Sequence, residues 1–320
     1  MDTFGRVLVT GARGFVGAHL VAHLRDRCTR LAGFGLEPDA GGLPLDGWLV
    51  GDMRDPEVLR AAVTAERPQY VVHLAARSSA AASFEDPSGT FDANALGTWR
   101  LLEAVRLEAP KARVLLVGTS EVYGSQPPGS RVDEDAPFRP LSPYALSKAG
   151  ADAAGEVAFR RYGLDVVRTR SFGHTGPGQG TRFFLPSMVD QVARAEAGLV
   201  EPVLRVGNLD VVRDLTDVRD VVIGYRLLLE RGRAGVAYNV CRGEGIRLSE
   251  LVSGIVARSR VKLRVDTDPA RMRPVDVAYL VGDGARMRSD TGWSATRTLD
   301  ETAAEMLEAA RAQVASSHAR

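Results

Sequence analysis

Short apolar runs alternate with segments of helical pattern through residues 1–170 of this 320-residue chain. The apolar runs are rich in β-branched residues and predict strands at residues 6–10, 30–34, 48–50, 70–76, 113–118 and 164–169. The segments between them predict helices at residues 18–27, 55–65 and 87–108, and a further helix that begins at Pro143. Strands that alternate with helices indicate a doubly wound parallel α/β sheet, in which ligands bind beyond the carboxyl ends of the strands.

The pattern loosens after residue 170 and predicts a smaller second lobe. Residues 171–178 hold too much glycine and proline for regular structure, whereas helices are expected at 217–230, 248–259 and 300–315. A strand at 237–241 is expected to return to the main sheet. We therefore expect a first domain of residues 1–170, joined by 211–242, and a C-terminal α/β lobe of residues 171–210 and 243–320.

Three glycines, Gly11, Gly14 and Gly17, lie between the first predicted strand and the first predicted helix. Gly11 permits a tight turn, Gly14 lets backbone N–H groups approach a pyrophosphate, and Gly17 lets the helix pack closely on the strand. An ordinary flexible loop is the alternative, but glycines placed in this way are typical of a dinucleotide site. The sequence therefore predicts a Rossmann-like domain that binds NAD or NADP.

The segment after the second strand bears on the choice between NAD and NADP. An acidic residue there binds the ribose 2′-hydroxyl, whereas an arginine favours a 2′-phosphate. Glu37 is the nearest acidic residue and no arginine is close by in the sequence, which favours NAD. Asp52, after the third strand, can accept from the adenine amine or cap the following helix. We interpret His73, within the fourth strand, as a core histidine.

The segment Ser142-Pro143-Tyr144-Ala145-Leu146-Ser147-Lys148 predicts a helix start with chemistry on one face. Ser142 suits the N-cap and Pro143 the first turn. Tyr144 and Lys148 are four residues apart and therefore share a face. An ammonium beside a phenol favours the phenolate, so we expect Lys148 to lower the pKa of Tyr144 and allow proton exchange near neutral pH. The alternative is an amphipathic helix with both residues on its solvated side.

Composition excludes several classes of function. The 41 basic and 40 acidic residues give a net charge of +1. The chain therefore lacks the excess of basic residues that would indicate a nucleic acid or an anionic membrane as partner. The longest apolar runs are too short to span a bilayer, and the N-terminus does not resemble a signal peptide, so we expect a cytoplasmic protein. Two cysteines, Cys28 and Cys241, form neither a disulfide framework nor a metal cluster, and no metal site is predicted.

These motifs, in this order, resemble the extended short-chain dehydrogenases/reductases, specifically the NAD-dependent epimerase/dehydratase family of nucleotide-sugar enzymes. The matching pieces span nearly the whole chain and are residues 10–17, Asp52, residues 73–76, Asn94, residues 119–123, Tyr144 and Lys148. In the second half, residues 206–210, 213–214, 238–241 and 268–276 resemble the GDP-mannose branch, which contains a 4,6-dehydratase and a 4-keto-6-deoxymannose reductase. Residues 174–179 are more similar to the reductase.

The resemblance implies roles for individual residues. The implied catalytic residues are Thr119, Glu121, Tyr144 and Lys148. The implied cofactor-binding residues are Gly11, Gly14, Phe15, Val16, Gly17, Asp52, Met53, Leu74, Ala75, Ala76, Asn94, Tyr144 and Lys148. The implied substrate-binding residues are Ser83, Thr119, Ser120, His174, Asn208, Arg213, Arg273 and Asp276. Gly173 departs from the pattern, because the family usually has there an asparagine that contacts the substrate.

The resemblance implies a homodimeric, NAD(P)-dependent enzyme that acts on a nucleotide-diphosphate sugar, and the GDP-linked form is expected. The first choice is a reductase of a GDP-4-keto-6-deoxyhexose, in which Tyr144 exchanges a proton with the sugar oxygen and Thr119 hydrogen-bonds the same oxygen. A GDP-hexose 4,6-dehydratase and an NDP-sugar epimerase are the alternatives, and Glu121 does not discriminate, because dehydratases use a glutamate here and reductases can keep an acid. A sensor or scaffold that binds dinucleotide without turnover is a further alternative, disfavoured by the intact Thr119, Tyr144 and Lys148.

Overall fold

The computed structural model describes residues 4–272 and 277–318. Strands and helices alternate through the first half, as predicted. In chain order they are β1 (Phe4–Thr10), α1 (Phe15–Leu24), β2 (Cys28–Gly35), β3 (Gly47–Val50), α2 (Pro56–Glu66), β4 (Tyr70–His73), α3 (Pro87–Phe91), α4 (Gly97–Glu108), β5 (Arg113–Thr119), α5 (Pro143–Tyr162) and β6 (Asp165–Ser171).

The second half mixes shorter strands with helices. In chain order they are β7 (Gly173–Thr175), α6 (Phe184–Glu196), β8 (Val203–Val206), β9 (Val212–Asp217), α7 (Val218–Arg231), β10 (Ala237–Val240), β11 (Gly245–Arg247), α8 (Leu248–Ala257), β12 (Arg264–Thr267), β13 (Tyr279–Leu280), α9 (Ala285–Thr291) and α10 (Leu299–His318). No helix among the described residues is both long enough and apolar enough to cross a membrane.

The main sheet has seven strands in the order β10-β6-β5-β4-β1-β2-β3. Every neighbouring pair in it is parallel. The order reverses beside β1, which is the switch point of a doubly wound sheet, so the predicted Rossmann-like fold is confirmed. β10 pairs with β6 at one edge of this sheet, as predicted for the strand at residues 237–241. β9, which also falls within residues 211–242, lies in a different sheet.

Helices cover both faces of the main sheet. Successive residues of β1 point to opposite faces, so Val7 and Val9 join one core cluster and Leu8 joins the other. α1 and α7 contribute Leu20 and Leu228 to the first cluster, and α2, α4 and α5 cover the opposite face. Burying each leucine contributes about 1.5–3 kcal/mol to the free energy of folding. The packing on both faces therefore stabilises the sheet whose edge carries the site.

The second lobe is built on a small sheet of strand order β11-β9-β13, to which β7 adds by pairing with β9. A separate pair, β12 with β8, lies in the same half of the chain. α6, α8 and α10 pack together over these strands in one apolar cluster. The prediction that residues 171–178 are irregular was wrong in part, because Ser171 still belongs to β6 and Gly173–Thr175 forms β7.

Three local predictions need correction. The helix predicted at 87–108 is broken by a π-helical turn, Asp92–Leu96, between α3 and α4. α1 begins at Phe15, because Gly14 is its N-cap, and it ends at Leu24, because Arg25–Arg27 forms a 3-10 turn. Asp55, not Asp52, is the N-cap of α2, since its carboxylate accepts from the N–H groups two and three residues later.

Candidate active site

The carboxyl ends of β1, β4 and β5 lie along one edge of the main sheet and carry the predicted site residues. β1 runs into Gly11, β4 runs into residues 74–76, and β5 ends at Thr119. α5 packs against β5 and β6 and brings Tyr144 and Lys148 to the same region. The fold therefore assembles the glycine motif and the predicted catalytic residues along a single edge.

The glycine motif forms a tight turn with an open helix end. Gly11 has a φ of +71°, a left-handed conformation that glycine adopts without strain. A Cβ on Gly17 would lie 2.4 Å from the carbonyl oxygen of Gly11, so only glycine allows this close packing. Gly14 is the N-cap of α1, and no described side chain bonds the first N–H groups, which begin at Phe15. Such an end attracts anions, so the geometry fits a dinucleotide pyrophosphate.

Charged side chains lie near the ends of β2 and β3. Arg13, in the glycine motif, donates from Nη1 to the backbone oxygen of Asp39 at 3.2 Å and to its Oδ1 at 3.3 Å. This places a guanidinium beside the segment after β2, where the sequence offered only Glu37. Arg54 donates to both carboxylate oxygens of Asp52 and lowers the pKa of Asp52. The adenine contact predicted for Asp52 and the preference for NAD stay predictions.

A chain of hydrogen bonds through His73 holds β1, β4 and α4 together. The hydroxyl of Thr98 donates to the backbone oxygen of Asn94 at 2.6 Å, so the Nε2–H of His73 donates to Thr98 at 2.9 Å. Nδ1 of His73 then accepts from the hydroxyl of Thr10 at 2.7 Å. Burial lowers the pKa of His73 to about 3 and keeps the ring neutral. The interpretation of His73 as a core histidine is confirmed.

Asn94 lies in the π-helical turn and is buried. Its Oδ1 accepts from the N–H of Arg77 at 2.8 Å, and its Nδ2 donates to the backbone oxygen of Arg77 at 3.1 Å and to Oγ of Ser147 at 2.9 Å. The side chain thereby ties the loop after β4 to α5, next to Lys148. π-helical turns of this kind often occur at functional sites. The cofactor contact predicted for Asn94 stays a prediction.

The hydroxyl of Tyr144 is hydrogen-bonded to that of Thr119, and the carboxylate of Glu121 lies near it. Burial raises the pKa of Tyr144 above its ordinary value, with Glu121 adding to the rise, and the bond to Thr119 opposes them only partly. The expectation that Lys148 lowers this pKa was therefore wrong. Desolvation outweighs the attraction of a cation, so Tyr144 is a neutral phenol that can donate a proton.

Lys148 is buried, and its Nζ donates to the backbone oxygen of Val117 in β5 at 2.6 Å. Burial lowers the pKa of Lys148 to about 8, while the carboxylate of Asp152 one turn later raises it. The ammonium group therefore remains mostly charged at neutral pH and points at the sheet edge beside Thr119. This geometry explains its small influence on Tyr144.

Two serines fix the start of α5. Ser142 is its N-cap and accepts from the N–H of Ala145 at 3.0 Å, as predicted. Ser83 is fully buried, donates to the backbone oxygen of Ala80 at 2.6 Å and accepts from the N–H of Tyr144 at 3.1 Å. The substrate contact predicted for Ser83 stays a prediction, whereas its bond to the catalytic helix is a feature of the structure.

The other predicted substrate residues are spread over both lobes. Ser120 is buried directly after β5. Asn208 accepts, through Oδ1, the N–H two residues later at 3.0 Å. Arg213, half-buried in β9, donates from Nη1 to the preceding backbone carbonyl at 3.0 Å. Arg273 and Asp276 lie outside the described residues, so their roles stay predictions.

His174 and Gly173 lie in β7. The His174 ring stacks on that of Phe15 in α1, with centroids 6.3 Å apart and planes at 14°. The structure thus brings His174 to the glycine motif. A Cβ on Gly173 would lie 2.6 Å from Cδ2 of Leu215, so Leu215 fills the space that a side chain at this position would need.

Sequence reasoning missed two residues that the structure connects to the site. Ser147 accepts from Asn94, and its place within the Tyr144–Lys148 turn was the available signal. Tyr225, in α7, is hydrogen-bonded to Ser171 at 2.7 Å and lies near enough to raise the pKa of Tyr144. Nothing local marks Tyr225, since only the packing of α7 brings it there.

Comparisons with known proteins agree with this geometry. The family model described as GDP-mannose 4,6 dehydratase matches residues 45–306. GDP-6-deoxy-D-mannose reductase of Pseudomonas aeruginosa is 35% identical, covering 93% of this chain and 94% of the relative. A GDP-mannose 4,6-dehydratase of Vibrio cholerae is 31% identical, covering 84% of this chain and 79% of the relative.

Two solved structures share the fold over nearly the whole chain. RMD from Pseudomonas aeruginosa, complexed with NADPH, has a TM-score of 0.85 and 32% identity, covering 96% of this chain and 99% of that one. UDP-glucose 4-epimerase of Thermus thermophilus, in complex with NAD, has a TM-score of 0.84 and 30% identity, with the same two coverages.

Proposed function

The chain belongs to the GDP-mannose 4,6-dehydratase family of extended short-chain dehydrogenases/reductases, and we propose that it is an NAD(P)H-dependent reductase of a GDP-4-keto-6-deoxyhexose. The product is the corresponding GDP-6-deoxyhexose. The observation that carries this choice is the half-buried phenol of Tyr144, hydrogen-bonded to Thr119 at the sheet edge, because reduction of a ketone requires a proton donor. Similarity to a GDP-6-deoxy-D-mannose reductase over 93% of the chain supports the same choice.

The cofactor is assigned to the sheet edge because the glycine turn and the uncapped start of α1 fit a pyrophosphate. The solved relatives bind NADPH or NAD, which supports NAD(P) here. The residues proposed to hold it lie at strand ends or on α1, α5 and the π-helical turn: Gly11, Gly14, Phe15, Val16, Gly17, Asp52, Met53, Leu74, Ala75, Ala76, Asn94, Tyr144 and Lys148.

When bound, the reduced nicotinamide supplies the hydride to the keto carbon of the sugar. Tyr144 donates its phenolic proton to the carbonyl oxygen, which becomes the hydroxyl of the product. Thr119 hydrogen-bonds the same oxygen and orients the phenol. Lys148 is charged at neutral pH and is held by its bond to the backbone oxygen of Val117, so it places a positive charge at the strand end beside Thr119.

A GDP-hexose 4,6-dehydratase is the second candidate, and the observation that favours it is the carboxylate of Glu121 near Tyr144. A carboxylate in this position can move protons during loss of water. Dehydratases and epimerases begin by oxidising the sugar, which requires Tyr144 to start as a base. Burial and Glu121 both raise the pKa of Tyr144, which favours a reaction in which Tyr144 starts as the proton donor.

The substrate nucleotide is proposed to lie between the strand edge and the second lobe. We assign its diphosphate to Arg213 and Arg273, because a guanidinium presents a planar fork of donors. Ser83, Thr119, Ser120, His174, Asn208 and Asp276 complete the predicted substrate set. This assignment rests on sequence resemblance, and for Arg213 also on its half-buried position in β9.

Incubation with sugar nucleotides tests the proposal directly. Purified protein is mixed with GDP-, UDP-, dTDP- and ADP-hexoses and with GDP-4-keto-6-deoxymannose, each with and without NAD(P)H. A reductase consumes one NAD(P)H per GDP-4-keto-6-deoxyhexose and leaves the hexoses unchanged. Conversion of a GDP-hexose to a 4-keto product without added NAD(P)H identifies the dehydratase and overturns the reductase.

We also propose the predicted domain division and a homodimer. α7 and β10 lie with the main sheet, which supports the return of most of residues 211–242 to the cofactor domain. α4 and α5 leave apolar side chains exposed, among them Leu107, Leu146 and Val157 at 50%, 53% and 46%, and such side chains suit a helical interface. Light scattering tests the dimer. The cytoplasmic location stays a prediction.

A further inference from the structure

The segment after β6 crosses the edge of the main sheet and contacts the start of α1. β5 and β4 separate β6 from β1 in the sheet, so the ends of β6 and β1 lie roughly 14 Å apart at about 4.8 Å per strand. The ring of His174 nevertheless stacks on that of Phe15, with centroids 6.3 Å apart. The segment therefore spans the distance from the end of β6 to the start of α1, which is the width of β5 and β4.

A hydrogen bond reinforces this contact. Nε2 of His19, in α1, donates to the backbone oxygen of Pro177 at 2.8 Å. The ring of His19 also packs edge-on against Phe15, with centroids 5.4 Å apart. We call Phe15, His19, His174 and Pro177 the clasp, and residues 174–179 the strap.

The strap is stabilised by hydrogen bonds between its own residues and by pairing with a strand of the second lobe. The hydroxyl of Thr175 donates to Oε1 of Gln179 at 2.7 Å, and Nε2 of Gln179 donates to the backbone oxygen of His174 at 3.1 Å. β7 pairs with β9 through Gly173, His174 and Thr175, so the strap is anchored to the second lobe. These bonds connect the strap internally and join it to β9.

The ring of His174 is held in a fixed orientation and is uncharged. Its Nδ1–H donates to the backbone oxygen of Phe172 at 3.0 Å, and burial lowers the pKa of the ring, so it is neutral. A neutral ring fixed in this way offers a flat face to Phe15. This contact is on the glycine-motif side, whereas the sequence predicted a substrate contact for His174.

We propose that the strap covers the bound dinucleotide and that opening of the clasp controls the rate at which the cofactor leaves. The inference rests on the proposed function, which places the dinucleotide along this edge. A dinucleotide held by the glycine motif and by Tyr144 would bind along this edge, next to the strap. A reductase exchanges its cofactor in every turnover, so the clasp opens once in each catalytic cycle.

Cofactor dissociation in a His19→Ala variant tests the proposal. His23→Ala is the matched control, because His23 lies one turn later on α1 and its Nε2 accepts from Arg226 at 3.2 Å, away from the strap. Each protein is loaded with NADPH or NADH and mixed rapidly with excess oxidised cofactor, and the loss of nicotinamide fluorescence gives the dissociation rate. Loss of one hydrogen bond corresponds to a rate increase of about 2- to 10-fold in His19→Ala and none in His23→Ala.

An unchanged dissociation rate in His19→Ala, or an equal increase in His23→Ala, overturns the proposal. Hydrogen exchange of the wild-type protein is a second measurement that needs no variant. Bound NAD(P)H is expected to slow the exchange of amides in residues 174–179, and unchanged exchange there overturns the strap. Failure of the proposed function is distinct, since it appears as no oxidation of NAD(P)H with GDP-4-keto-6-deoxymannose, which is measured separately from cofactor dissociation.

Discussion

Replacing Tyr144 with phenylalanine removes the proposed proton donor and leaves the ring in place. Burial and Glu121 keep the phenol protonated, so at neutral pH nearly every wild-type molecule carries the donor. The full catalytic contribution is therefore lost in the variant. Loss of a general acid lowers kcat about 10²- to 10⁴-fold, or about 2.7–5.5 kcal/mol of activation free energy.

The same change has a small structural cost. The variant loses the hydrogen bond between the hydroxyls of Tyr144 and Thr119, worth about 1 kcal/mol, and the first turn of α5 keeps its cap at Ser142. The free energy of unfolding is therefore expected to fall by about 1 kcal/mol. Cofactor affinity should change by less than about 3-fold, since a phenyl ring still fills the site.

Steady-state NAD(P)H oxidation with the identified keto sugar gives kcat, and urea denaturation gives the stability. Tyr238→Phe is the control, because Tyr238 is fully buried in β10 and its hydroxyl donates to Asp290 at 2.7 Å, in a different part of the molecule. It loses a buried hydroxyl but should keep kcat. A folded Tyr144→Phe protein whose kcat is within about tenfold of wild type would refute the role of Tyr144 as proton donor.

Four further predictions follow from the site and its surroundings. Arg213→Ala should raise KM roughly 10- to 150-fold with little change in kcat, because a diphosphate contact is similar in the ground and transition states. Competitive titration should show preference for NAD(H); tighter NADP(H) binding that is lost in Arg13→Ala would instead assign the 2′-phosphate to Arg13. The pKa of Lys148 falls from 10.5 unfolded to about 8 folded, so the unfolded state binds more protons between these values. Wild-type stability should therefore rise with pH across that window by about 3 kcal/mol relative to Lys148→Met, as measured by urea denaturation. Asp152→Asn should destabilise the fold by about 3–5 kcal/mol, because it leaves buried guanidinium groups without their carboxylate.

Local patterns in the sequence predicted the strands of the main sheet and the cap at Ser142, because both depend on neighbours within a few residues. The glycine motif was equally readable, since the spacing of Gly11, Gly14 and Gly17 is itself the structural requirement. The π-helical turn around Asn94 was not, because it is stabilised by contacts with Arg77 and α5 that no local pattern contains.

The second lobe was harder to predict for a related reason. β7 and β13 have three and two residues, and each exists only by pairing with β9. Strands of this length carry no alternation that a sequence pattern can show. The path of the strap, and hence the contact between His174 and Phe15, depends on that pairing.

The pKa of Tyr144 shows how burial changes a motif's chemistry. The four-residue spacing correctly placed Tyr144 and Lys148 on one helix, but spacing does not say how much water reaches either group. In the folded chain, desolvation raises the pKa of the phenol and lowers that of the ammonium, and the backbone oxygen of Val117 fixes the direction of Lys148. Tyr144 is therefore a proton donor, and this suits a reaction that begins with reduction.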